Sequence, residues 1–232
     1  MPEPATTGRI CGRIGDMEIG DYIVCKYIAA NNRVGTFNEL GRSHAPEISI
    51  EGNAAPDGSF YFVMVDKSKH GGLLVADRVV QVGINWDVLN AGLVIQGKLQ
   101  TFDKVEGIIR SLTGGCAYAN ENGHLSLTDK GFGAWSPNNE WDKYIVQFPE
   151  EFIREGKALD DVFHWSGALS WCQETPVNGL IYIDSGGNNV VGVNSRRVRR
   201  GWRQLDTLSH GQSSSVDKNI GFRPVFEYRV MR

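Results

Sequence analysis

Apolar and polar positions alternate over short stretches in the first half of the chain, and a glycine or a turn pair ends each stretch. Asp21–Ile28 is rich in β-branched and aromatic residues and follows Gly20, which predicts a strand. Glu47–Ile50 alternates polar with apolar, the pattern of a half-buried strand. Asp57-Gly58 is a turn pair, and Ser59–Val65 leaves it as an apolar run. After a turn over Ser68–Gly72, Leu73–Val82 predicts a strand with an irregularity near its middle.

Two segments carry the helical period instead. Asn85 is a good N-cap for Trp86–Asn90, and Gly92 can stop that short helix. Ser136 can cap a second helix, with Pro137 in its first position and Glu140 and Asp142 at the positive end of its dipole. Trp141, Tyr144, Ile145 and Phe148 then form one apolar stripe, which predicts a helix over Pro137–Phe148. Phe152–Leu159 reads as a further short helix. Beyond it, short patches at Val162–Trp171, Leu180–Ile183, Arg197–Arg200 and Phe222–Tyr228 alternate with polar, glycine-rich loops. Leu99–Glu106 is the predicted seam between a β-rich part, residues 1–104, and a second part, residues 105–232.

Composition narrows the class. The chain of 232 residues is 41% hydrophobic and 22% charged, which suits a folded globular protein. Its 28 glycines point to turns and loops. A net charge of −3 argues against a strongly basic nucleic-acid binder. No apolar run approaches the roughly 18 residues a membrane helix needs, and the N-terminus lacks the apolar core of a signal peptide. Cys11, Cys25, Cys116 and Cys172 lie far apart and read as reduced structural thiols; the histidines are equally scattered, so no zinc motif is visible.

Trp135, Trp141, Trp165, Trp171 and Trp202 crowd into one third of the sequence. Such rings either fill a loop-rich core or line a binding face. The apolar stripe assigns Trp141 to the core; Trp202, between Arg199-Arg200-Gly201 and a polar stretch, is the one most readily placed on a surface.

Four stretches carry a resemblance. Pro137–Tyr144 resembles the "LPTEAEWEYA" helix of the sulfatase-modifying-factor branch of C-type-lectin-like folds. Val162–Trp165 resembles its "NVWEW", Arg197–Trp202 its "RVLRGGSW", and Gly221–Val225 its "GFRLV", in the family's order over Ile108–Tyr228. A wider likeness, through IRSLTGG, NNEWDKYIV, VFHWSGALSWCQETP and GFRPVFEY, is to bacteriophage and prophage tail or minor structural proteins. The resemblance implies an α+β protein, with a C-type-lectin-like domain over 105–232 and a β-rich N-terminal part. In that frame Arg223 ties buried loop carbonyls or a carboxylate together.

The enzymatic members of that branch resemble one another in a copper-binding cysteine pair between "RGGSW" and "GFR". Gln204–Asp217, the matching stretch, has no cysteine, and no HxxxH suits the iron-dependent relatives. Asp160-Asp161 reads as a solvated loop rather than a catalytic pair. Ser166 near His164 lacks a nucleophile elbow, and Gly114-Gly115 and Gly186-Gly187 lack a Walker lysine. Arg196, Arg197, Arg199, Arg200 and Arg203 would alternate between two faces of a strand, with Asp160, Asp161 or Glu227 as partners, rather than form one phosphate-binding patch.

The expectation is therefore a non-catalytic phage virion protein, on the tail or an external fibre, that presents a host-surface binding face. A purely structural decoration protein is the alternative, and a formylglycine-generating-enzyme-like oxidoreductase a more distant one. The chain between the "RVxRG" strand and "GFR" is expected to form surface loops, with Trp202, Arg203, Gln204, His210, Gln212 and Ser213 as the ligand surface. No cofactor is expected, apart from structural calcium at Asp184, Asn188 and Asn189 as an open alternative. Expected partners are other virion proteins, a host glycan or protein, and further copies of the chain, commonly a trimer in such families; membrane insertion and nucleic acid are not expected. The chain would be made in the host cytoplasm and end in the virion.

Overall fold

The computed structural model describes residues 3–42, 44–102 and 104–229. In chain order the strands are β1 (Tyr22–Ile28), β2 (Thr36–Asn38), β3 (Asp57–Ser68), β4 (Gly71–Ala76) and β5 (Gln81–Val82), followed by helix α1 (Trp86–Ala91). Next come β6 (Lys98–Phe102), β7 (Val105–Arg110), β8 (Ala117–Ala119), β9 (Leu125–Ser126) and β10 (Ala134–Trp135), then helix α2 (Asp160–Phe163). The remainder is β11 (Leu169–Trp171), β12 (Ile181–Ile183), β13 (Asn189–Val191), β14 (Arg196–Gly201), β15 (Gln204–Gln212), β16 (Ile220–Phe222) and β17 (Val225–Arg229).

Two sheets dominate. One has seven antiparallel strands in the order β2-β1-β3-β4-β17-β7-β6; the other runs β15-β14-β11-β16-β5, with β11 and β16 parallel. The large sheet is apolar on both faces, because alternate side chains point opposite ways. Phe60, Phe62, Met64, Leu74 and Phe226 join Leu169, Trp171, Ile220 and Phe222 in a core that includes residues of both sheets. Tyr61, Val63, Val75 and Val225 face away and are covered by Trp141, Ile145, Phe148 and Phe163. A smaller cluster packs Val198 and Leu208 against Ala117, Tyr118 and Leu180.

The α+β, lectin-like expectation is thereby corrected. Strand makes up 38% and helix 10%, and the architecture is a β-sandwich. The helix expected over Pro137–Phe148 shrinks to one wide turn, Asp142–Val146. Its stripe is real, since Trp141, Ile145 and Phe148 are buried. Its cap is not Ser136: Asn139 accepts from the Asp142 amide at 3.0 Å and donates to the Ser136 carbonyl at 2.8 Å, so the chain before Trp141 closes as a turn. Glu140 and Asp142 serve buried arginines instead of a helix dipole. Phe152–Leu159 likewise holds only the end of a three-residue turn, Glu150–Phe152.

Other expectations fare differently. Asn85 caps α1 through Val88 at 2.8 Å, as its sequence indicated. The irregularity in Leu73–Val82 is where the chain leaves one sheet for the other, between β4 and β5. Glu47–Ile50 contributes a single bridge to Ser59, not a strand. The expected seam at Leu99–Glu106 lies in the β6–β7 hairpin. There β17 sits between β4 and β7, so segments from either side of residue 104 share one sheet. No helix among the described residues is long and apolar enough to cross a membrane.

Three fully buried arginines tie the layers. Arg78 donates to Asp77, to Glu47 and to the Ile48 carbonyl at 2.7 Å. Arg223 donates to Ser170 Oγ (3.1 Å) and to the carbonyls of Ala76 (2.8 Å), Phe163 (2.7 Å) and His164 (3.3 Å), the tying role its position implied. Burial lowers its pKa to about 10, which leaves it charged at neutral pH. Arg200 pairs with Asp142 and donates to the carbonyls of Gly114 (2.7 Å) and Asp206 (3.0 Å).

Candidate functional site

The β14–β15 hairpin builds the site. Its partners run from Arg196↔Gln212 to Arg200↔Leu208, and after an irregularity Gly201 faces Gln204. Trp202 and Arg203 are therefore the two residues of a tight turn. Gly201 has φ +92°, and a Cβ there would meet the Trp165 carbonyl at 2.8 Å and the Trp141 ring at 3.0 Å, so the position needs glycine. Trp202 itself adopts φ +71° and donates its amide to the Trp165 carbonyl at 2.6 Å. A non-glycine residue held in the left-handed region carries strain, and such strain gathers at binding sites.

This turn and the neighbouring β12–β13 hairpin enclose a cleft of about 180 Å³. Trp202, Arg203 and Gln204 line one part; Tyr182, Ile183, Asp184 and Ser185 line another; Leu169, Gly201 and Ser209 complete it. Arg203 lies with its guanidinium 4.6 Å from the centre of the Trp202 ring, a cation–π contact that orients both groups. Indole, phenol, guanidinium, carboxylate and hydroxyl groups thus meet in a space that suits one ring-sized group.

The sequence-level candidates divide. Trp202, Arg203 and Gln204 converge on the cleft, and so does Asp184. Gln212 and Ser213 lie at the far end of β15: Gln212 is exposed, and Ser213 donates to Asp87 at 3.0 Å. His210 corrects the surface-loop expectation outright. Gln204–Gln212 is a strand, and His210 points from it to the buried side at 1% exposure. Its Nε2–H faces the Leu180 carbonyl at 3.3 Å, its Nδ1 has no hydrogen-bond partner, and its ring stands edge-on to Tyr182. Burial, helped by Arg196 and Arg199, pushes its pKa down to about 4, so it is neutral at pH 7.

Asp184 Oδ1 accepts from the amides of Gly186 (2.8 Å) and Asn188 (2.9 Å) and from Asn188 Nδ2 (3.2 Å). These bonds lower its pKa and make it the organiser of the β12–β13 turn. Asn189 is exposed at the start of β13. Among the described residues no three His, Cys, Asp or Glu side chains gather as a metal cluster.

The other candidates have structural partners. Ser166 donates to Asp160 at 2.5 Å, and Asp161 lies 3.9 Å from Lys157. Glu227 and Glu140 both clamp Arg110, at 3.0 Å and 2.5 Å. The expected partners of the arginine cluster are thus occupied elsewhere, and only Arg200 of that cluster has an ion pair among the described residues.

Sequence reasoning missed Tyr182 and did not separate Ser209 from its neighbours. The first had a signal: Ile181-Tyr182-Ile183 before Asp184 and Gly186-Gly187 is the pattern of a short hairpin strand. Ser209 had none, because hydroxyl-rich strands read as loops. The fold and cleft together define a β-sandwich with a polar–aromatic cleft at one hairpin turn. No known protein family, curated protein or solved structure matches the chain.

Proposed function

We propose that this chain is a non-catalytic binding protein whose Trp202–Tyr182 cleft receives a sugar ring of a host-surface glycan, and that it acts as a bacteriophage virion component. The observation that carries the binding reading is the convergence of two aromatic rings with Arg203, Gln204, Asp184 and Ser209 around one small cleft. Apolar ring faces suit the C–H surface of a sugar, and the polar rim supplies directional hydrogen bonds to its hydroxyls. The strained backbone at Trp202, fixed by Trp165, presents the indole without an ordering penalty on binding. The virion assignment rests on the likeness of IRSLTGG, NNEWDKYIV and GFRPVFEY to phage structural proteins.

The test is adsorption of the purified chain to host envelopes and to a glycan array, with Trp202→Ala and Tyr182→Ala compared with the parent. Both variants are expected to stay folded and to lose binding, with a lower melting temperature for Trp202→Ala because the half-buried indole packs against the main core. Unchanged adsorption by both folded variants would reject the cleft, and a parent that adsorbs to nothing would leave decoration as the better account.

A further inference from the structure

The β12–β13 hairpin supplies the wall of the cleft from Tyr182 to Ser185, and it forms a two-stranded sheet of its own. Ile183 and Val191 on its outer side are 63% and 49% exposed, so that side faces solvent. Its attachments are on the inner side. Leu180 at its base is buried with Val198 and Leu208, and the Ile181 amide donates to the Leu127 carbonyl at 2.8 Å. The third attachment is His210 of β15, whose Nε2 lies 3.3 Å from the Leu180 carbonyl and whose ring centre is 5.8 Å from that of Tyr182. Of these contacts only the imidazole gains a charge in mild acid.

A proton on Nδ1 would create a cation at 1% exposure, with no acceptor for the new N–H. The charges that bear on the ring, Arg196 and Arg199 of β14, carry the same sign, and β12 and β8 add the phenols of Tyr182 and Tyr118. Asp184, the carboxylate on the hairpin, is held by the amides of its own turn, and no carboxylate pairs with His210 among the described residues. We propose that His210 is an acid-sensitive latch: its protonation breaks the contact between β15 and the hairpin and releases the Tyr182 wall, so that the cleft is complete at neutral pH and opens in mild acid. The ring is hydrated only when Tyr182 and its strand move off, whereas the two large sheets stay joined, so the opening is local. This inference rests on the architecture of the cleft and holds whatever ligand fills it.

The test is amide hydrogen exchange of the full chain at pH 7 and pH 5, read at two positions. The Ile181 amide bonds to Leu127, outside the hairpin; the Cys172 amide bonds to Val198 in the five-stranded sheet at 3.0 Å. The imidazole has a pKa of about 4 when closed in and about 6.5 in water. Protection of Ile181, corrected for the intrinsic rate, is therefore expected to fall about twentyfold from pH 7 to pH 5. Cys172 is expected to keep its protection, and His210→Gln to abolish the fall at Ile181. Unchanged protection of Ile181 in the parent would overturn the inference, and so would the same fall in folded His210→Gln. Should that variant not fold, the parent alone decides: an equal loss at Cys172 would mean general loosening and would overturn the latch, whereas a loss confined to Ile181 would support it.

Discussion

Arg199 and Arg200 are neighbours on one strand and share almost nothing else. Arg200 points into the smaller core, fully buried, with Asp142 and two carbonyls as partners. Arg199 points to the opposite face, half-buried and without an ion pair among the described residues. The strand's alternation sends one guanidinium to Asp142 and the next over Gly211, on the face that carries Trp171 and Ser209. A guanidinium that holds a buried carboxylate is part of the scaffold; Arg199 has no such ion pair among the described residues, although the Nε of both arginines is buried without a partner.

The strongest way to break this contrast is to remove the scaffold arginine. Arg200→Ala leaves Asp142 buried and unpaired, and its expected destabilisation is about 3–5 kcal/mol by urea unfolding. Trp141→Ala is expected to lose a similar ~3–5 kcal/mol, because the ring is fully buried and its Nε1–H donates to Leu205 at 2.8 Å. A parent-like midpoint for either variant would remove the arginine–tryptophan centre from the scaffold.

His210 sharpens the contrast through pH. Its folded pKa of about 4 lies below the ordinary histidine value, so the unfolded chain takes up the proton first. Its contribution is complete above about pH 6.5, falls as pH drops toward 4, and levels off below that, at most about 3 kcal/mol in all. Burial lowers His164 in the same direction. Glu174, lifted to about 7 by burial, works with the opposite sign over an overlapping window. The informative quantity is therefore the difference between the parent and His210→Gln, whose stability is expected to fall less steeply between pH 6.5 and 4. Parallel curves would place the imidazole in contact with water.

Arg199→Gln sits at the small end. Its expected effect on stability is within about 0.5 kcal/mol or slightly favourable, since it removes an uncompensated charge. A loss as large as that of Arg200→Ala would show a structural role for Arg199.

Much of this molecule is legible in its sequence where local rules decide. The β1 and β3 strands follow from β-branched, aromatic runs beside glycine, and α1 follows from Asn85 and its apolar period. The helix over Pro137–Phe148 fails for a physical reason: its stripe reports burial correctly, but Asn139 spends its amide on a turn and Glu140 and Asp142 are drawn to Arg110 and Arg200. Those pairings are distant in sequence and leave no periodic trace. At the cleft, Trp202 and Arg203 stood out because an aromatic and a cation follow Gly201 and open a polar stretch. His210 was misplaced because a polar sequence concealed a strand, and Tyr182 because a hairpin some twenty residues away in sequence brings it to the turn.

The most direct measurement compares the two guanidiniums by urea unfolding of Arg200→Ala and Arg199→Gln beside the parent. Arg200→Ala is expected to lose about 3–5 kcal/mol, because Asp142 is left without its ion-pair partner, while Arg199→Gln stays within about 0.5 kcal/mol. Equal losses from the two variants would contradict the contrast between these neighbours on β14.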